Sequence, residues 1–355
     1  MIKQKLLMNF KDFIIGGLTG ENEGVMTNIP AFDESFFGIL KGKMYVIAAG
    51  SSTGKSTLVD SAFFLDPYFN SNKDIKFIYF SFELSEIVKK TKWLNYLLSA
   101  KEGVTIPEAI IAGYGKIKMT VSQIELVDKY IPEVEKIFED IDFYQDTMNP
   151  TGLNSILYEY AEKNGTFIKE TYIDKEGRKQ EKHIGYEPNN LEKRTIIIID
   201  HIGLCSPEKG ATDKKQIIDK ASDYLKWFRN ICGFSPVIIQ QFNNNLQSVN
   251  RDPKAQEYYT PQQLDLGGSS YTFQDADVVI GGMNPGVFDI PIYLGYQILP
   301  TASKRGLGRS ASFWYVMKNR DFGAFRVAAV YRDDAPIMVS MDKPNKNGWP
   351  TNIIQ

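Results

Sequence analysis

The sequence predicts an α/β fold: a mostly parallel central sheet flanked by helices, with antiparallel strands added toward the C-terminal end. Three observations carry that expectation. Compact apolar runs alternate with helix-period segments along most of the chain, and strands this apolar belong to a sheet covered on both faces, the parallel arrangement. A loop of small residues, AGSSTGKS at 49–56, joins one such run to a helical segment. Four isoleucines run directly into Asp200. That places a carboxylate at the carboxyl end of a buried strand, where sheets of this kind hold their ligands.

Composition narrows the function classes. The chain has 355 residues, with 41 Lys+Arg against 43 Asp+Glu and 43% hydrophobic residues. At about 150 residues per domain this is one large or two modest domains, and the apolar fraction excludes a largely disordered chain. A near-neutral balance excludes a general nucleic-acid coat, so any polyanion must be met at a local basic site. Cys205, Cys232, His183 and His201 show no metal-ligand spacing, which argues against a disulfide scaffold or a zinc centre. The first residues lack the pattern of a signal peptide, and no run approaches the roughly 18 apolar residues of a membrane span. The expectation is a soluble cytoplasmic protein with no membrane partner.

The elements follow in order. Residues 1–20 read as an N-terminal arm: Leu6, Leu7, Phe10, Phe13 and Ile14 form a helical stripe, which Gly16, Gly17 and Gly20 break. Residues 21–355 form the main domain. MYVIAA (44–49) is a strand, Thr53 to Leu65 a helix, IKFIYFSF (75–82) a strand, and Leu84 to about Ser99 a helix. Helical patterning continues through 104–140, with Ile124, Val127, Ile131, Val134 and Ile137 as its stripe. IDFYQD (141–146) reads as a strand and Leu153 to Lys163 as a helix. The polar stretch 166–194 reads as a surface hairpin, with Gly177 at its turn. TIIIID (195–200), a helix across 215–231, PVIIQQ (236–241) and DADVVIGG (275–282) continue the alternation. IPIYLGYQIL, ASFWYVMKN and FRVAAVYR lie close together, as antiparallel strands extending the sheet would.

The segment 49–56 has the chemistry of a phosphate loop. Gly50, Ser51, Ser52, Thr53, Gly54, Lys55, Ser56 and Thr57 are small enough, or suitably polar, for backbone N–H groups to face phosphate oxygens. Lys55 would neutralise the β- and γ-phosphates, and the Ser56 hydroxyl would hold Mg²⁺. The strict pattern wants glycine at position 49, where this chain has Ala49. A bare Gly-Lys-Ser recurs by chance; the strand–loop–helix context and Asp200, at the place of a Mg²⁺-holding acid, make the signal specific. Glu83, at the end of strand 75–82, could orient and deprotonate an attacking water; a helix N-terminal glutamate favoured by the macrodipole is the plain alternative. Gln241 ends strand 236–241, where its amide could sense a γ-phosphate or simply be a polar strand end. Between Ser303 and Arg326, Lys304, Arg305, Arg309, Lys318, Arg320 and Arg326 face a single acid, Asp321. Such a local positive surface suits a phosphate partner, with a solvated basic strand face as the alternative.

These segments, in this order, resemble the RecA-like core of DnaB-type replicative hexameric helicases over about residues 25–335. TNIPAFDESFFGILKGKMYVIAAGSSTGKS resembles the family's lead-in to an A-x-x-x-x-G-K-S/T loop, in which Ala49 is expected. FSFELS (80–85) is similar to the strand-end motif that carries the catalytic glutamate, which implies that role for Glu83. IIIIDHIGL (196–204) resembles the Walker B segment. PVIIQQFNNN (236–245) resembles the sensor strand and implies that Gln241 contacts the γ-phosphate. QDADVV (274–279) is nearly identical to the family's string. VMKNRDFG (316–323) is similar to K-x-R-N-G, which implies Arg320 as an arginine finger and Lys318 beside it, both reaching into an adjacent subunit.

The resemblance implies an ATP-dependent DNA helicase that uses ATP and Mg²⁺ between the subunits of a homo-oligomeric, hexameric ring. It would translocate on single-stranded DNA during DNA replication, with primase or other replisome proteins as partners, in bacterial cytoplasm or a phage-infected host. Three departures stand out. DLGGSS (265–270) has Gly267 where the family has an arginine at the central channel, and Asn244 replaces a basic residue after the sensor segment. Lys209, Lys214, Lys215 and Arg251 in flanking loops could take DNA phosphates instead. The family's globular N-terminal collar has no counterpart here, leaving an arm, 1–15, that resembles the linker helix docking on a neighbour. Two other readings stay open: a RecA- or KaiC-like DNA-dependent ATPase without unwinding activity, and a nucleotide-switched replication adaptor or loader.

Overall fold

The computed structural model describes residues 10–11, 14–208, 210, 213–243, 260–267, 271–323, 326–332 and 336–353. Leu6, Leu7, Phe13, Lys209, Asn244 and Arg251 lie outside the described residues. Rows of β-branched and aromatic side chains form strands β1 (Tyr45–Ala49), β2 (Ile75–Ser81), β3 (Asp142–Tyr144), β4 (Gly165–Ile173), β5 (Lys179–Pro188), β6 (Arg194–Asp200), β7 (Ser235–Gln241) and β8 (Val278–Met283). After these come β9 (Ile292–Tyr293), β10 (Tyr296–Gln297), β11 (Ala311–Asn319), β12 (Val327–Tyr331) and β13 (Val339–Ser340).

Nine strands form one sheet in the order β13-β12-β11-β8-β1-β7-β6-β2-β3. From β8 to β3 every pairing is parallel, and β11, β12 and β13 add on antiparallel. Both faces of the parallel part are covered. One face packs Phe64, Trp93, Tyr79 and Ile198, the other Leu157, Leu225, Phe228 and Ile199, all buried. This is why β1 and β6 are buried at every position and why their sequences do not alternate. At β8 the packing is so close that a side chain on Gly282 would collide with the Trp314 ring, 2.3 Å from the position of its Cβ. No described helix is long and apolar enough to cross a membrane.

Several elements differ from expectation, each for a local reason. Helical backbone runs through 14–19, past Gly16 and Gly17; the break comes at Gly20, whose φ is +80°. The helix after the 49–56 loop starts at Lys55–Leu58, widens to a π-helix over Val59–Leu65, and resumes as α over Asp66–Asn70. All seven π-helical residues are buried, consistent with the association of π turns with functional sites. The 104–140 stretch divides into Glu108–Ile111 and Val121–Asp140, the second opened by a Thr120–Gln123 capping box. Val127, Val134 and Ile137 face the core there, whereas Ile124 and Ile131 are each 44% exposed, on its flank. IPIYLGYQIL does not extend the sheet: Leu294 and Gly295, both at positive φ, fold it back into the separate ribbon β9–β10. That ribbon packs Tyr293, Tyr296 and Ile298 on Phe313 and Trp349.

Between the helix Pro150–Asn164 and β6, strands β4 and β5 form a hairpin of their own. Its tip is a turn in which the Asp174 carboxylate accepts from the backbone N–H of Glu176 and Arg178, and Gly177 sits at φ +77°. Its base is anchored by Phe167 stacked on Tyr158 at 4.9 Å between ring centroids.

Candidate nucleotide site

Strand register brings the site together. Ala49, at the end of β1, pairs with Gln241 on one side and Gly282 on the other, and Ser81 pairs with Asp200. The carboxyl ends of β1, β7, β6 and β2 therefore meet at the loop 50–57. Asp200 further ties the end of β2 in place, because its carbonyl accepts from the N–H of Phe82 at 2.7 Å and of Glu83 at 3.3 Å.

The loop turns through Ser52 at φ +61° and Gly54 at φ +95°, a left-handed conformation that glycine adopts at little cost. From there the helix at Lys55 opens with its N–H groups toward the loop. Lys55 Nζ donates to the Gly50 carbonyl at 2.9 Å. Burial pulls its ammonium below lysine's ordinary range, and Glu83 and Asp200 oppose that shift. Ser56 Oγ donates to Asp200 Oδ1 at 3.0 Å, and the Asp200 side chain is fully buried. Glu83 stands exposed at the strand end. Gln241 Nε2 donates to Ser51 Oγ at 2.8 Å. A cleft of ≈ 380 Å³ adjoins the loop, lined by Ser51, Ser52, Gln241, Gly282, Phe288 and Arg309, a size suited to a small-molecule ligand. His201, next in chain after Asp200, is buried, which lowers its imidazole below the ordinary histidine range despite Glu83 and Asp200 nearby.

Arg320 and Lys318 stand elsewhere. Strand β11 runs antiparallel to β8, so Asn319 pairs with Val278 and Phe313 with Met283. Arg320 thus follows the end of β11 that lies beside the start of β8, on the order of 15 Å along the strands from the 50–57 loop. There Arg320 Nη1 donates to Asp277 Oδ1 at 3.1 Å and Nη2 to the Gln274 carbonyl at 2.9 Å. Lys318 Nζ donates to the carbonyls of Phe273 at 2.7 Å and Gln274 at 2.8 Å. Asp277 also accepts from Met44 N–H and Arg229 Nη1. The QDADVV segment is therefore a clamp between the start of β1, the helix Lys214–Cys232 and the end of β11.

Gly267 is held against the sensor strand: its N–H donates to the Gln241 carbonyl at 2.9 Å. A Cβ there would lie 2.6 Å from that oxygen, so no side chain fits at 267 in this backbone. Buried Gln240 braces the same turn, donating to the Gly267 carbonyl at 2.6 Å and accepting from Thr272 Oγ1 at 2.6 Å. Of the two described lysines read as alternative phosphate contacts, Lys214 is exposed at the start of its helix, and Lys215 lies 5.7 Å from the Tyr271 ring centroid.

Three residues escaped the sequence reading. Arg332 Nη1 donates to Thr57 Oγ1 at 3.2 Å, placing a cation at the loop from a strand end 275 residues away in sequence. Buried Asp60 and Lys89 form a charge cluster behind Asp200. One signal was available: Lys89 falls on the stripe of buried Trp93, Tyr96 and Leu97, where an unpartnered lysine is excluded.

A phosphate-type loop at the end of β1, a buried strand-end aspartate bonded to the loop serine, and a parallel sheet with antiparallel additions define a RecA-like P-loop fold. The family model for the DnaB-like helicase C-terminal domain matches residues 24–284, and the chain belongs to that family. Two solved structures share the fold. One is a helicase ATPase domain, 15% identical, covering 96% of this chain and 99% of its own, with a TM-score of 0.65. The other is a DnaB-like replicative helicase described with its interactions with primase, 15% identical, covering 96% of this chain and 69% of its own, with a TM-score of 0.67. A comparison with curated protein sequences returns no match.

Proposed function

We propose that this protein is a DnaB-type, ATP-driven DNA helicase core that hydrolyses ATP between the subunits of a hexameric ring and moves along single-stranded DNA during replication. The observation that carries the reading is the Lys55–Ser56–Asp200 arrangement inside a chain of the DnaB-like family. Ser56 and Asp200 fit a magnesium ion: a hydroxyl beside one carboxylate matches the ion's preference for one or two protein oxygens plus phosphates and water. When bound, the ion would neutralise charge on the phosphates. The loop N–H groups and Lys55 would bind those phosphates, Glu83 would orient and deprotonate the attacking water, and Gln241 would respond to the γ-phosphate. Arg320, with Lys318, would complete the site of a neighbouring subunit. Primase or other replisome proteins would be the partners, single-stranded DNA the track, and residues 1–15 the arm that docks on a neighbour. We read 1–20 as that arm and 21–355 as one ATPase domain, in the cytoplasm of a bacterium or phage-infected host.

The direct test is ATP turnover by the purified chain with and without single-stranded DNA, beside Glu83→Gln. The expected result is DNA-stimulated turnover that drops by about 10²–10⁴-fold in the variant. Turnover indifferent to DNA would move an adaptor or loader ahead of the motor. That second reading has its own observation: Gly267 leaves no room for the channel arginine.

A further inference from the structure

The helix Glu86–Glu102 carries Lys89 with no exposed surface. Its ammonium reaches Asp60 Oδ1 at 3.0 Å and Oδ2 at 2.9 Å, the Tyr79 hydroxyl at 2.7 Å, and Asp200 Oδ2 at 3.1 Å. An ammonium has three N–H donors, and here they meet three groups. The Tyr79 hydroxyl in turn donates to Asp60 Oδ1 at 2.6 Å. Burial pulls Lys89 downward, but Asp60 and Asp200 outweigh it and hold the ammonium above lysine's ordinary range.

Stability is a poor reason for such a cluster. Desolvating each ion costs several kcal/mol, and well-packed apolar groups of the same volume often do as well or better. The cluster matters for what lies at its far end. The other oxygen of Asp200 accepts from Ser56 Oγ at 3.0 Å, so the carboxylate is gripped from both sides and cannot rotate. Charge must also balance. Lys89 beside Asp200 alone would cancel the negative charge that draws a divalent cation. With Asp60 included, two carboxylates and one ammonium leave one net negative charge, the same as a lone Asp200.

We propose that Lys89 is a positioning residue of the magnesium–nucleotide site: it locks the Asp200 carboxylate with Oδ1 toward Ser56, while Asp60 keeps the cluster singly negative. This inference rests on the ATPase reading above. Second-shell partners of this kind typically change metal affinity or activity by about 10–100-fold when removed.

Lys89→Met alone leaves two buried carboxylates facing each other and is expected to destabilise the fold, so the informative variant is Asp60→Asn/Lys89→Met. It keeps one net negative charge and removes only the restraint. Three readouts apply: thermal midpoint, binding of a fluorescent ATP analogue in EDTA against Mg²⁺, and the Mg²⁺ concentration for half-maximal turnover. The double variant should melt near the wild type and bind the analogue equally in EDTA. Its Mg²⁺-dependent gain in binding should shrink, and its Mg²⁺ requirement rise, by about 10-fold or more, with kcat falling further than KM rises. A stable double variant with the wild-type Mg²⁺ response overturns the proposal, as does one that recovers full kcat. If the wild type itself neither binds the analogue with Mg²⁺ nor turns over ATP, the functional reading fails instead, and that control is scored before the variants are compared.

Discussion

The two ends of the parallel sheet treat their charged groups in opposite ways. At the carboxyl ends of the strands, Lys55, Ser56, Asp200, Lys89 and Asp60 satisfy one another inside a single chain, and the last three are fully or almost fully buried. At the opposite end, the Arg320 side chain is 42% exposed and is held by its own chain's Asp277 and Gln274 carbonyl. Burial pulls Lys318 below lysine's ordinary range, and repulsion from Arg320 adds to that. The first end is organised before any ligand arrives, which is what electrostatic catalysis requires. The second holds cations that the fold keeps far from its own phosphate loop, so on the proposed reading they can serve only another subunit.

The sharpest way to break this contrast is to divide the two ends between molecules. Lys55→Ala and Arg320→Ala should each lower turnover by about 10³-fold or more, with nucleotide binding weakened in the first and retained in the second. Mixing the two variants should restore a measurable fraction of the activity, because some interfaces then pair an intact loop with an intact Arg320. Mixtures as inactive as their components would place both residues in one site and end the comparison.

The contrast also has a stability side. Trp93, fully buried, stacks on Phe138 with ring centroids 4.7 Å apart and packs against Phe64 behind the phosphate loop. Trp93→Ala should cost about 3–5 kcal/mol of unfolding free energy. At the other end, Phe322 meets Phe37 edge-on at 4.8 Å, and Phe37 is 50% exposed. Phe322→Ala should cost only about 0.5–1.5 kcal/mol. Denaturant unfolding of the two variants measures both; equal losses would show that the two ends are equally well packed.

The smallest effect concerns the thiols. Burial pushes Cys205 and Cys232, both on the Leu225 and Phe228 side of the sheet, up to about 12. Because the folded-state value is raised, both stay protonated at pH 8 and become reactive only as pH approaches that value or the chain unfolds. Mass spectrometry after alkylation at pH 8 should count no modified thiol in the native protein and two in denaturant.

Much of this was legible in the sequence because it is local. Continuous β-branched runs can only be strands covered on both faces, and a loop of small residues between strand and helix can only approach phosphate through its backbone. Gln241, Glu83 and Asp200 each end a strand, so knowing the strands placed them. The ribbon at 292–297 was misread because an apolar run looks alike in a sheet and in a turned-back pair. The exposure of Ile124 and Ile131 depends on which neighbour the helix Val121–Asp140 packs against, and the pattern alone does not say.

By itself, then, the sequence determined the α/β class, the phosphate loop, the strand-end acids and the family, because each depends on residues adjacent in the chain. Only the tertiary structure decided what stands behind and beyond them. Lys89 meets Asp60 across 29 residues and Asp200 across 111. The antiparallel register of β11 carries Arg320 away from the loop, and the close approach of the sensor strand excludes a side chain at Gly267. These are contacts between distant segments, fixed by strand order and packing, and a lysine that reads as solvated in sequence becomes a buried cation once three acceptors close around it.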